Sequence, residues 1–331
     1  MIGKLLERGN QVLLEKQIDF AGRAETNTAV RFTREYFDSL GIEIRMIDAA
    51  PAVTETVFFK KTYTSPIMPA ALSGLNGVCK NGLVETAKGA ARAGVPMWIG
   101  IGEEAELEEA VETGADVVKI IKPYRDEDLI LEKIKQAEKH GAVAVGMDTI
   151  FGFGGKKGDS LIRPDLMSPK SLSDLRRYVS ATHLPFIVKG VLSVEDAEKA
   201  VDAGAAGIVL SNHSGSVLDY ALPPLMVLPE IEKAISHSVT IFIDGGFTRG
   251  TDAFKALALG ADGILLGRAV ICGLAADGAD GVHGILSGVN EELRRVMSVA
   301  GCPDVKHIHS GLVRRTISLP GAQRKHLMPA K

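Results

Sequence analysis

"LPFIVKGVLSVEDAEKAVDAGAAGIVLSNHSGSVLDY" (184–220) holds two short apolar, β-branched runs, 185–191 and 207–212, with a different kind of segment between them. That segment, "SVEDAEKAVDAG" (193–204), starts acidic, carries apolar residues at helical spacing and closes on Gly204, as a helix C-terminus prefers. A run that is apolar throughout, without alternation, reads as a strand buried on both faces, and strands separated by helices pair in parallel. The unit recurs on either side. Before it stand "SPIMPA" (65–70), "PMWIGI" (96–101), "DVVKII" (116–121) and "AVAVGMD" (142–148); after it stand "TIFIDGG" (240–246) and "GILLGR" (263–268). "EEAELEEAVETG", "DEDLILEKIKQAEKHG" and "GTDAFKALALG" supply further helical segments. Eight strands over roughly 200 residues predict an α/β fold, a (β/α)8 TIM barrel over 65–331 with C-terminal helices and a tail, and 1–64 as an N-terminal helical and irregular extension. A doubly wound open sheet is the competing architecture.

Composition sets the class. The 331 residues are 46% hydrophobic and 24% charged, which describes a globular chain with ample core. With 38 basic and 41 acidic residues the net charge is −3, so nothing in the overall charge favours nucleic acid or a membrane surface as partner. Cys79, Cys272 and Cys302 are far apart and match no metal-ligand spacing, which points to buried thiols in a reducing compartment and no metal. The start, "MIGKLLERGNQVLLEKQIDF", alternates charge with apolar residues and does not read as a signal peptide; no uncharged apolar run approaches bilayer-spanning length. The expectation is a cytoplasmic enzyme.

In such a barrel the chemistry collects at the C-terminal ends of the strands. Lys119 lies in strand three, Asp148 ends strand four, Lys189 falls late in strand five, Ser211 to His213 end strand six, Asp244 ends strand seven and Arg268 ends strand eight. Singly, each has a structural reading: a salt-bridge partner, a cap or a satisfied core histidine. Together they converge on one rim, where desolvating so many ionisable groups is costly without a functional return. "DGGFTRGTD" (244–252) adds a glycine pair on a strand-to-helix turn, and Gly267–Arg268 follows the next strand. Backbone N–H groups and a guanidinium can there face one phosphate.

The stretch 184–220, with "FIDGGFTRGTDAFKALALGADGILLGRAVICGLAADGADGV", strongly resembles the FMN-dependent 2-hydroxy-acid oxidase and dehydrogenase family. The resemblance is dense from Leu184 to about Cys302 and weaker from Pro66 to Thr149. It implies bound FMN, with a terminal monophosphate on the turn, and oxidation of a CH–OH carbon. It implies His213 as general base, Asp148 as the carboxylate that orients it, Lys189 and Ser211 beside the flavin ring, and Asp244, Gly245, Gly246, Gly267 and Arg268 at the phosphate. Ala70, Ala71, Gly100, Gly146, Lys119 and Thr248 fall at further flavin positions. There the family carries hydroxyl residues in place of Gly100 and Gly146, a glutamine for Lys119 and an arginine for Thr248.

Departures fall on the substrate side. Where the family reads His-Gly-Gly-Arg-Gln-Leu-Asp, the chain reads His213-Ser214-Gly215-Ser216-Val217-Leu218-Asp219, so Ser216 replaces the arginine that clamps the substrate carboxylate. Ile121 stands at the position of a substrate-contacting tyrosine. "DTIFGFGGKKGD" (148–159) offers only Lys156 and Lys157 for a second arginine. The sequence therefore predicts an FMN-dependent oxidoreductase whose substrate is other than a small free 2-hydroxy acid, including larger hydroxyl-bearing molecules. The electron acceptor is oxygen or a carrier, and the resemblance implies a homo-oligomer, often a tetramer. The alternative is a phosphate-binding barrel without flavin chemistry that uses Lys189 as a Schiff-base lysine.

Overall fold

The eight apolar runs form one closed parallel sheet. A computed structural model describes residues 2–18, 25–157 and 160–316. The barrel strands are β1 (Ile67–Pro69), β2 (Met97–Ile99), β3 (Val117–Ile121), β4 (Ala144–Asp148), β5 (Phe186–Val191), β6 (Gly207–Leu210), β7 (Thr240–Ile243) and β8 (Gly263–Leu266). Each pairs in parallel with its neighbour from β2 through β8, and β8 pairs with β1. The ring closes between β1 and β2 through a bridge of Leu72 to Ile99 and the Gly100 N–H donating to the Leu72 carbonyl at 2.8 Å. Closure excludes the open doubly wound sheet.

Helices cover the outside: α3 (Gly82–Arg92), α4 (Glu104–Glu112), α5 (Glu127–Lys139), α6 (Leu172–Ser180), α7 (Val194–Asp202), α8 (Pro224–Ile235), α9 (Gly250–Ala258) and α10 (Arg268–Val299). Their starts follow local chemistry. Ser193 caps α7 by accepting from the Asp196 N–H, and Ser171 with Asp174 forms a capping box on α6. Arg268 is the first residue of α10 and not the end of β8, which puts its side chain at a helix N-terminus.

The N-terminal segment is built into the same core. Helix α1 (Ile2–Glu15) packs along α10, and Ile2, Leu13, Phe37 and Phe58 are buried in one cluster with the barrel. A hairpin of Thr56–Phe58 with Lys61–Tyr63 plugs the barrel floor: Phe58 and Phe59 lie against Phe242, which meets Trp98 at 4.9 Å between ring centroids. Leu40–Ile42 pairs with Val313–Arg315, tying the two ends of the described chain together. Helix α2 (Thr28–Asp38) reaches over the rim, where the Asp219 carboxylate accepts from the N–H groups of Thr26 and Ala29.

Helix α10 is long and apolar enough to cross a membrane, with a mean hydropathy of 1.3 over its most apolar window. Its valines, isoleucines, leucines and alanines supply that value between scattered acids, and 61% of the window is buried against the protein.

Candidate active site

Lys189 and Asp148 sit side by side because β5 and β4 pair in that register. Just beyond Lys189 the ladder with β6 shifts at Gly190, whose φ is +97° and where a Cβ would stand 2.7 Å from the Ile150 Cβ. The bulge thus lets the turn after β4 fold tightly over the strand. The Lys189 ammonium donates to Ser211 Oγ at 2.8 Å and lies 3.2 Å from Asp244 Oδ2 and 3.8 Å from Asp148 Oδ1. Burial alone would lower its pKa, but the two carboxylates outweigh that and raise it.

Asp148 has a second cation. Lys122, directly after β3, donates to Asp148 Oδ2 at 2.7 Å, and its ammonium lies 3.4 Å from the centroid of the Phe151 ring. Burial would raise the Asp148 pKa; Lys122 and Lys189 instead hold it far below the usual carboxylate range. The carboxylate is therefore ionised throughout the physiological range.

His213 Nε2 lies 3.5 Å from Asp148 Oδ2, and its ring meets Phe151 edge to face at 4.5 Å. His213 and Ser214 both have left-handed backbone, φ +48° and +56°, a conformation costly for residues with a Cβ and held here by hydrogen bonds from Gly215 N–H to Asn212 and from Ser216 N–H to His213. Ser216 Oγ donates to the His213 carbonyl at 2.7 Å and lies 2.9 Å from Nδ1. With its hydrogen on the carbonyl, Oγ accepts from Nδ1–H, which leaves the Nε2 lone pair as the basic site. A third of the side chain faces the cavity (34%), yet desolvation first, and the Lys122 charge second, push its pKa well below the ordinary 6.5. The imidazole is neutral at pH 7, the form a base requires.

These groups open on one cavity with two lobes that share Ala71, Leu72, His213, Ser214, Gly267 and Arg268. The first, about 140 Å³, is walled by Ala70, Lys189, Asp244, Gly245, Gly246, Phe247 and Thr248. Gly245 and Gly246 have φ of +100° and +79°, and their N–H groups donate to nothing among the described residues. Arg268 likewise makes no hydrogen bond or ion pair there. Desolvation lowers its pKa, so a cation is held facing a polar hollow with no anion of the protein to meet it. Asp244, the carboxylate of this lobe, is taken up by Lys189, which leaves Arg268 and the glycine turn to an anion from outside. Asp252 takes the Thr248 N–H at 3.1 Å and pairs with both guanidinium nitrogens of Arg34, fastening the turn to α2. The second lobe, about 300 Å³, adds Gly100, Ile101, Ile120, Lys122, Asp148, Phe151, Ser216 and Ile271. Larger hollows lie on the surface, one of about 600 Å³ beside the floor hairpin, but they gather no comparable chemistry.

Most of the expected residues thus meet at the cavity, and Ser211 and Gly146 lie beneath it. At Gly146 a Cβ would stand 2.2 Å from the Ile187 carbonyl oxygen, so the hydroxyl residue of the family has no room. Three expectations are corrected. Lys119 points outward from β3 toward α4 and donates to the Gly100 carbonyl at 2.7 Å, away from the cavity; burial lowers its pKa to about 8. The residues of that strand facing inward are Ile120 and Lys122, so Lys122, and not Ile121, enters the substrate lobe. Lys156 pairs with Glu25, and Lys157, at the exposed end of a short hairpin, does not line the cavity; neither replaces an arginine there. Sequence reasoning missed Lys122, Phe151 and the tautomer-fixing role of Ser216.

The family model described as FMN-dependent dehydrogenase matches residues 13–157 and 154–315. The chain is 31% identical to a glycolate oxidase of Spinacia oleracea over 87% of its own length and 88% of the relative's. It is 32% identical to 4-hydroxymandelate oxidase of Amycolatopsis orientalis over 91% and 94%. Among solved structures, mandelate oxidase with benzoyl-formic acid superposes with a TM-score of 0.88 at 31% identity, covering 96% of this chain and 99% of that one. A mandelate oxidase variant holding a monooxide FMN adduct gives 0.85 at 32% identity, over 93% and 98%.

Proposed function

The chain belongs to the FMN-dependent dehydrogenase family, and from that membership we propose an FMN-dependent oxidation of a CH–OH group in a substrate larger or less charged than a small free 2-hydroxy acid. The observation that carries it is the joining of two sites in one cavity: an anion cradle at Arg268 and the Gly245–Gly246 turn, and a neutral histidine backed by an ionised carboxylate.

The residues fit FMN. The free N–H groups of Gly245 and Gly246 with the unpaired Arg268 would hold its phosphate, Ala70 and Ala71 would line the ring's flank, and Lys189 would place a cation against the ring edge. Bound FMN supplies the two-electron acceptor for the carbinol hydrogen. The chain supplies the proton chemistry. His213 Nε2 takes the substrate hydroxyl proton, Asp148 at 3.5 Å stabilises the imidazolium formed, and Ser216 holds the ring through Nδ1. Phe151, Ile120, Ile101, Leu72 and Ile271 keep water from the lobe and present an apolar wall to the substrate's side group.

Ser216 is too short and already too engaged to clamp a carboxylate, which supports a substrate other than lactate or glycolate. We propose oxygen or a small carrier as the acceptor that reoxidises the flavin. The test is to release the ligand by heat, identify it against FMN and FAD, and follow anaerobic bleaching of the reconstituted flavin by hydroxy acids, amides and esters. FMN with slow bleaching by lactate and glycolate is expected; FAD, or rapid bleaching by lactate, overturns the proposal.

A further inference from the structure

Lys122 lines the substrate lobe beside Asp148 and His213. Its side chain is 9% exposed; its ammonium rests on the Phe151 ring face, 3.4 Å from the centroid, and makes one hydrogen bond, to Asp148, so among the described residues two of its three N–H donors meet no oxygen or nitrogen acceptor. A buried donor left unmet costs free energy, and a ligand oxygen is the acceptor available to it. Charge decides which oxygen. Lys122 and Asp148, 2.7 Å apart, cancel, and Lys189 is offset in the same way by Asp244 at 3.2 Å. Arg268 is the remaining cation of the lining, and it stands at the junction with the phosphate lobe, where FMN would engage it. A substrate carboxylate at Lys122 would lie beside the Asp148 carboxylate with no uncompensated cation of its own, whereas a carbonyl oxygen needs only the donor.

We propose that Lys122 is the substrate's polar anchor, and that the neutral Lys122–Asp148 pair selects an uncharged carbonyl next to the CH–OH carbon: a 2-hydroxy amide, ester or ketone in preference to a 2-hydroxy acid. The proposal rests on the FMN-dependent CH–OH chemistry above and deepens it. The apolar wall of Ile101, Ile120 and Phe151 directs the choice of probe to one with an aromatic side group.

The experiment uses matched probes on the FMN-loaded protein: 2-hydroxy-2-phenylacetamide against mandelate for anaerobic flavin reduction, and their 2-oxo counterparts for binding, read by flavin absorbance shift and by calorimetry. The amide is expected to exceed the acid at least tenfold in reduction efficiency, and the 2-oxo amide to bind at least tenfold tighter than the 2-oxo acid. Lys122→Met is expected to weaken 2-oxo amide binding about 10- to 100-fold, the loss of a hydrogen bond from a charged donor. Because that variant leaves Asp148 buried and unpaired, Lys122→Met with Asp148→Asn provides a second variant without the stranded charge, in which the same loss of binding is expected. Tighter binding of the acid, equal binding of the two, no binding of either, or an unchanged amide affinity in both variants overturns the proposal. Reduction by the acid alone would do so while leaving the CH–OH reading intact; failure to retain FMN would strike that reading itself.

Discussion

Replacing Arg268 with glutamine separates ligand binding from folding. The guanidinium makes no hydrogen bond or ion pair among the described residues, and burial without a partner already disfavours its charge. Removing it therefore strands no carboxylate, and the stability of the unliganded protein should change by less than about 1 kcal/mol. With FMN the balance differs. A charge-assisted hydrogen bond from guanidinium to phosphate contributes about 1.5–3 kcal/mol, while the Gly245 and Gly246 N–H groups remain in the variant. At about 1.4 kcal/mol per decade, FMN affinity should fall about 10- to 100-fold. Quenching of FMN fluorescence on titration gives the dissociation constant, and urea unfolding of the unliganded protein gives the stability. Wild-type FMN affinity in Arg268→Gln would refute the placement of the phosphate; a large loss of unliganded stability would refute the claim that this cation serves a ligand and not the fold.

Ser216→Ala removes the acceptor for His213 Nδ1–H and should slow substrate-dependent flavin reduction about 3- to 10-fold with FMN content unchanged; an unaltered rate would deny Ser216 its positioning role. Ser216→Arg should shift preference toward free 2-hydroxy acids at least tenfold, read as the ratio of reduction rates with mandelate and its amide. Lys119→Gln should leave FMN affinity within about twofold of wild type, since Lys119 faces away from the cavity; a tenfold loss by FMN titration would return it to the flavin site. For pH, the folded His213 pKa lies below its unfolded value of 6.5, so between the two the unfolded chain binds the extra proton. The stability this group contributes is complete above pH 6.5 and declines as pH falls below it. His213→Gln should flatten that decline in urea unfolding measured from pH 7 to pH 5, and an identical slope in both proteins would show that His213 is not buried neutral.

The barrel was legible because its strands are uniformly apolar and its helices carry acidic starts and glycine stops. The same uniformity concealed the register. All five residues of β3 are buried, so no alternation tells which face the barrel interior, and Lys119 with Ile121 was expected inward where the closed sheet turns Ile120 and Lys122 inward. Asp148, Lys189 and His213 were accessible because they end strands, where the fold collects chemistry. Ser216 was visible as the loss of an arginine, but its bond to His213 depends on left-handed backbone at His213 and Ser214, which non-glycine residues rarely announce. The floor plug was hidden for another reason: Phe58 and Phe59 meet Phe242 and Trp98 across long sequence separations that no local pattern encodes.

Anaerobic bleaching of the FMN-loaded protein by a hydroxyl substrate, compared between wild type and His213→Ala, tests the central claim most directly. The account predicts that both proteins fold and retain FMN, that wild type loses its oxidised flavin absorbance, and that the variant does so about 10²- to 10⁴-fold more slowly, the usual cost of a missing base. Bleaching at the same rate in His213→Ala, with FMN bound equally in both, would contradict it.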